Sequence, residues 1–154
     1  MSTNICADIM QFLDGMIGLP LCYGVKSPDV DLYDLGFGKL MVDAPDHKRK
    51  KRLPMYVLHV VCRFKIIWRI GEKHVETFRE DTNPKVLRDS IDQLIGMTIR
   101  RISLSEKNDL WLDVGDAWIV FATFENGEES WRLFMPHTNK PHLVASNYGL
   151  DFSV

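Results

Sequence analysis

Residues 56–70 read YVLHVVCRFKIIWRI. Every even position is apolar: Tyr56, Leu58, Val60, Cys62, Phe64, Ile66, Trp68 and Ile70. The odd positions include His59, Arg63, Lys65 and Arg69. Side chains of a strand alternate between faces, so this period of two predicts extended chain with one face in a core. Its length is about three times that of an ordinary strand. The segment must therefore bend, bulge or break, and Arg63–Lys65 is the expected place.

His59 and Cys62 invite a metal or nucleophile reading. Their parity differs, so a regular strand sends them to opposite faces, and only a bulge between them lets them meet. Cys6, Cys22, His137 and His142 supply no second pair at zinc-like spacing, and no metal is expected. Cys62 reads as a small buried hydrophobe. A Cys–His nucleophile stays open as an alternative, although no oxyanion-forming glycine motif accompanies it.

On the N-terminal side, Ile5, Ile9, Leu13 and Met16 fall at helical spacing and predict a helix over Ser2–Met16, stopped by Gly15 and Gly18. Short apolar runs follow, with turns at Lys26–Pro28 and Gly36–Gly38. On the C-terminal side a further strand is expected at His74–Phe78, and then a helix. Thr82 or Asn83 can cap that helix, Pro84 suits its first turn and Gly96 suits the position past its end. Val86, Leu87, Ile91, Leu94 and Ile95 form its apolar stripe, with Arg88 and Asp92 paired on the other face.

Five strands are expected after Gly96: Met97–Leu104, Asp109–Val114, Ala117–Phe124, Glu129–Met135 and Pro141–Ser146. Gly115–Asp116 and Asn126–Gly127 read as two-residue hairpins. Together they predict that Trp111, Val120 and Leu133 lie side by side, as do Asp113, Trp118 and Met135. Trp111, Trp118 and Trp131 then share one face. They are either core beneath a helix or an anchor-rich partner surface. Both faces of this meander are largely apolar, so both need covering. The expected class is α+β: a β-rich, mostly antiparallel meander with an N-terminal helix and one central helix. It forms a single domain over 1–154, with a weak division near residue 80.

The chain has 154 residues, 45% hydrophobic and 26% charged, a globular balance. Net charge is −2, too small for a general nucleic-acid binder. Three scattered cysteines argue for a reducing compartment. No apolar run is long enough for a membrane span, and the N-terminus does not read as a signal peptide. A cytoplasmic protein is expected.

Lys48, Arg49, Lys50, Lys51 and Arg52 form an unbroken basic run between two prolines. It reads as an exposed loop and as a candidate contact for phosphates or an acidic partner. The aromatic residues that single-strand binders stack on are missing from it. Asp29, Asp31 and Asp34 lack the rest of a calcium loop and read as solvated. Gly36–Lys39 is too short for a nucleotide fingerprint. Glu129 and Arg132 flank Trp131 and fall on opposite faces of a regular strand, which argues against a simple acid–base pair.

The stretches DLYDLGFGK, YVLHVVCRFKI, ESWRLFMP and PHLVASNYGL resemble a group of small, mostly uncharacterised bacterial cytoplasmic proteins. Members share an LH-x-x-C strand element and a late E-x-W-R-L element. The resemblance spans roughly Ile17 to Leu150, and departs where members carry Pro-Trp and this chain carries Arg63–Phe64. It implies no catalytic residue, and the group is loosely similar to immunity and accessory proteins; no cofactor is expected. The leading expectation is a non-enzymatic binding module with a protein partner or a second copy of itself. Its candidate contacts are Lys48–Arg52, His59, Arg63, Trp111, Trp118, Trp131 and Arg132. Nucleic-acid contact through the basic run, and an enzyme near His59 and Cys62, are the alternatives.

Overall fold

The computed structural model describes residues 2–28, 30–42, 52–69 and 83–153. The elements run α1 (Ser2–Asp14), β1 (Leu21–Lys26), β2 (Tyr33–Phe37), β3 (Met41–Val42), β4 (Arg52–Leu53), β5 (Tyr56–Val60), β6 (Arg63–Trp68) and α2 (Pro84–Leu94). They continue with β7 (Arg101–Leu104), β8 (Leu110–Asp113), β9 (Ala117–Ala122), β10 (Trp131–Phe134), β11 (His142–Ser146) and β12 (Gly149–Ser153). Lys48–Lys51 and His74–Phe78 lie outside the described residues. The α+β, β-rich class read from the sequence is the observed one.

Two antiparallel sheets make the body. One has the order β1-β2-β5-β10-β11-β12, the other β6-β9-β8-β7, and β3 pairs separately with β4. Each large sheet takes strands from both sides of residue 81. Their inner faces meet in one core. Tyr33 of the first sheet packs edge-on against Phe64 of the second at 5.0 Å, and Phe64 tilts against Phe121 at 5.8 Å.

The stretch 56–70 is what joins the sheets. It breaks at Val61–Cys62, not at Arg63–Lys65, which lie inside β6. Both amides at the break donate to the Ser130 carbonyl, at 3.0 and 3.2 Å. A single external acceptor therefore replaces the ladder while the chain changes sheets. The even-numbered row stays inward throughout: Tyr56, Leu58, Val60, Cys62, Phe64 and Ile66 are all buried. Alternation survives the corner because the corner consumes two residues, one full strand period.

The two predicted hairpins part company. Across Gly115–Asp116 the register is as expected, with Trp111 opposite Val120 and Asp113 opposite Trp118. Asn126–Gly127 is a true turn, with Gly127 at φ 80, but it is not a hairpin between β9 and β10. It carries the chain from the four-stranded sheet back to the six-stranded one. Ser130 holds this crossing, accepting the Phe124 amide at 2.9 Å on its hydroxyl and donating its own amide to the Ala145 carbonyl at 2.8 Å. Trp131 consequently lies opposite Val60 and Ala145, and Leu133 lies opposite Leu58 and Leu143, not Val120.

The central helix starts as expected: the Asn83 side chain accepts the Lys85 amide at 2.9 Å, and Pro84 is the first helical residue. Gly96 follows at φ 93, past the end. Leu87, Ile91 and Leu94 are buried, while Val86 and Ile95 are exposed. The helix packs on β1 of the six-stranded sheet, not on the C-terminal meander. Gly24 permits this approach, since a Cβ there would stand 2.5 Å from the Ile91 Cγ2. The opening helix ends at Asp14, earlier than the predicted Met16. Ile9, Leu13 and Met16 are in the core, and Phe12 meets Tyr56 and Phe152 edge-on at 5.5 Å. Among the described residues, no helix is long and apolar enough to cross a membrane.

Candidate functional site

The odd-numbered residues of β6, the even-numbered residues of β9 and the odd-numbered residues of β8 and β7 point outward from the four-stranded sheet. This outer face gathers Arg63, Lys65 and Ile67 with Trp118 and Val120, then Trp111 and Asp113, then Arg101. Trp111 and Trp118 meet edge-to-face at 5.8 Å. The Arg69 guanidinium lies 4.9 Å from the Trp118 ring centre and that of Arg101 lies 5.6 Å away. Both distances are in cation–π range.

Asp113 anchors the cluster from below, with its side chain only 3% exposed. It accepts from Arg101 Nε at 3.0 Å and lies 2.9 Å from Arg101 Nη2 and 3.1 Å from Arg69 Nη2. Its other oxygen accepts the Gly115 amide at 2.9 Å. Burial pushes the carboxyl pKa up, but the Gly115 amide and the two guanidiniums together outweigh burial and hold it below the usual range. Arg69 also donates to the Gly115 carbonyl at 3.1 Å. The aromatic pair is thus locked by charges whose geometry is itself fixed. Both helices spend their buried faces elsewhere in the core.

Trp131 does not belong to this face. It is fully buried between the sheets and donates its indole N–H to the Asn108 carbonyl at 3.0 Å. The three-tryptophan face expected from the register is therefore a two-tryptophan face, because β10 joined the other sheet.

The opposite outer face, that of the six-stranded sheet, carries a polar row. Tyr23 donates to Asp34 at 3.2 Å, and His59 Nε2 stands 3.8 Å from the same carboxylate. His59 meets Phe134 edge-on at 4.8 Å, and Phe134 stacks on His142 at 4.4 Å. Arg132 lies between His142 Nδ1 at 3.2 Å and Glu129 at 2.7 Å. Burial is the main force lowering both histidine pKa values, opposed for His59 by Asp34 and reinforced for His142 by Arg132. Burial and the Asp34 charge push the Tyr23 hydroxyl up.

Three sequence expectations change here. His59 and Arg63, both at odd positions of 56–70 and so expected on one face, do not share one, because the sheet crossing puts them on outer faces of different sheets. Glu129 and Arg132 do pair, since Glu129 precedes β10 and escapes the strand alternation. Asp34 is not simply solvated, because it engages Tyr23 and His59. The structure does not bring His59 and Cys62 together: one is on an outer face, the other fully buried. All three cysteines are free, with Cys6 exposed and Cys22 half-buried. Among the described residues, no group of three His, Cys, Asp or Glu side chains could hold a metal ion. The basic run is described only at Arg52, whose backbone belongs to β4.

Tyr23, Asp34, Glu129 and His142 were not singled out in the sequence as one group. They come from four separate places along the chain, and only β-pairing collects them.

Compared with known families, characterised proteins and solved structures, the chain matches none.

Proposed function

We propose that this chain is a non-catalytic binding module of the bacterial cytoplasm that docks an acidic protein partner on the outer face of its four-stranded sheet. The cluster of Trp111, Trp118, Arg69 and Arg101 over Asp113 carries the reading. Two guanidiniums share one carboxylate, leaving a surplus positive charge beside two half-buried tryptophans. Tryptophan and arginine are the residue types that dominate binding energy at protein interfaces. Fixing them in advance spares the entropy cost of ordering them on contact. The resemblance to immunity and accessory proteins supports the same reading, as do the free cysteines.

A protein fits this face better than a nucleic acid. Base stacking needs an open ring face, and guanidiniums lie over the ring of Trp118. What the cluster presents to a partner is its cations, the Trp edges and the apolar, half-buried Ile67.

The test is a titration of isotope-labelled protein with a glutamate-rich peptide bearing one aromatic residue, read at the tryptophan indole N–H signals. The Trp111 and Trp118 signals shift and saturate, that of Trp131 stays, and added salt weakens the effect. Trp118→Ala abolishes it. Absence of any shift, or an equal shift with a single-stranded oligonucleotide, overturns the reading.

A further inference from the structure

The outer face of the six-stranded sheet opens, beside β12, into a cavity of about 340 Å³. It brings Arg132, Lys140 and His142 to one mouth, together with Asn139 and Ser153. Among the described residues no carboxylate lines it. Arginine and lysine are both cations at neutral pH; Glu129 offsets the Arg132 charge from outside the lining, and Lys140 supplies the surplus positive charge.

The Arg132 guanidinium is held, not loose. Glu129 engages Nη2 at 2.7 Å and His142 Nδ1 meets Nη1 at 3.2 Å. Arginine only donates, so His142 Nδ1 must accept, and the ring proton sits on Nε2. Phe134 stacks on that ring and fixes its plane. The third nitrogen of Arg132, Nε, is buried with no hydrogen-bond partner. Nε is enclosed by the protein, so what Arg132 offers the cavity is its position and charge rather than a free donor.

We infer that this cavity binds the phosphate group of a small phosphorylated molecule. A planar carboxylate is gripped best by two parallel bonds from an arginine fork. Here the outer fork is already engaged by Glu129 and His142. The donors that remain are single groups on separate residues: the Lys140 ammonium, the His142 Nε2–H and the Asn139 amide. Such a set suits a tetrahedral oxyanion, with lysine acting as a point charge. The volume lies in the range of small-ligand sites and exceeds what a bare ion fills. The site is on the sheet opposite the tryptophan cluster, so it stands or falls independently of the docking reading.

Inorganic phosphate, phenyl phosphate and benzoate are titrated separately into labelled protein at constant ionic strength, read at the Lys140 amide and the His142 ring. Both phosphates produce saturable shifts, phenyl phosphate binds more tightly than inorganic phosphate, and benzoate is weaker than either. Lys140→Gln, in an exposed turn, weakens phenyl phosphate about tenfold, as loss of one charge-assisted contact does. Trp118→Ala leaves the affinity unchanged. The inference is overturned if neither phosphate saturates, if benzoate binds as tightly as phenyl phosphate, or if Lys140→Gln, shown folded by its amide spectrum, binds like the wild type.

Discussion

Asp113→Ala tests the charge cluster beneath the tryptophans most directly. The carboxylate is buried and holds two arginines and one backbone amide. A hydrogen bond to a buried charge contributes about 1.5–3 kcal/mol. The Arg69 and Arg101 side chains are 39% and 70% exposed, and solvent screening lowers each contribution to about 1 kcal/mol. Leaving the Gly115 amide without its acceptor adds about 1 kcal/mol. The expected loss is therefore about 3 kcal/mol, or about 1.5 M in urea midpoint for a slope near 2 kcal/mol/M. Urea unfolding followed by far-ultraviolet circular dichroism and by tryptophan fluorescence measures it. Arg101→Gln alone costs about 1 kcal/mol, because Arg69 still neutralises the carboxylate. Once Asp113 is gone, removing Arg101 relieves repulsion, so the double variant is no less stable than Asp113→Ala. The sign with pH also follows. A carboxyl held below its usual pKa contributes stability above the unfolded value, about 3.9, and loses it as pH falls through the folded value. Asp113→Ala thus flattens the acid limb of the midpoint-against-pH curve. A loss below about 0.5 kcal/mol, or a double variant showing the full sum of two losses, refutes the reasoning.

Two further outcomes are expected. Trp131→Phe leaves a void in the core and an unpaired Asn108 carbonyl, and costs about 2–3 kcal/mol in the same unfolding assay, whereas Trp111→Phe on the outer face costs under about 1 kcal/mol. His59 and His142 both have pKa values lowered by burial, so their contribution to stability is present above the unfolded value, about 6.5, and is lost as pH falls toward the folded values; ring-proton titration places both midpoints below 6.5, and His142→Phe removes part of the midpoint decline between pH 7 and 5.

Local chemistry was legible in the sequence wherever neighbours along the chain decide the outcome. The Asn83 cap, the Pro84 start and the Gly96 stop of α2 were readable because a helix end depends on residues a few positions apart. The Gly115–Asp116 turn and its register were readable for the same reason. The alternation of 56–70 showed which side chains face the core. It did not show where the strand breaks, since no glycine or proline marks Val61–Cys62 and the distant Ser130 carbonyl sets the corner. Asn126–Gly127 misled in a related way. The residues do turn the chain, but a turn specifies a direction, not a partner. Trp131 is fully buried opposite Val60 and Ala145, partners that lie far from it in the chain. The polar row on the six-stranded sheet was beyond local reasoning, because it joins Asp34 to His59 and Glu129 to His142 through strand order alone.

The corner at Val61–Cys62 also bears on how the molecule assembles in time. β5 sits between β2, made just before it, and β10, whose Trp131 pairs with Val60 some seventy positions later. Its continuation β6 waits similarly for β9. During synthesis, then, β5 inside the six-stranded sheet has one flank without its partner, and β6 at the edge of the four-stranded sheet waits for β9, until most of the chain has been made. Pairings this distant close slowly, on a scale of milliseconds to seconds, and the apolar row from Tyr56 to Ile66 is exposed meanwhile. The contact that joins the two ends of this wait is the Ser130 carbonyl, which receives both corner amides just ahead of β10.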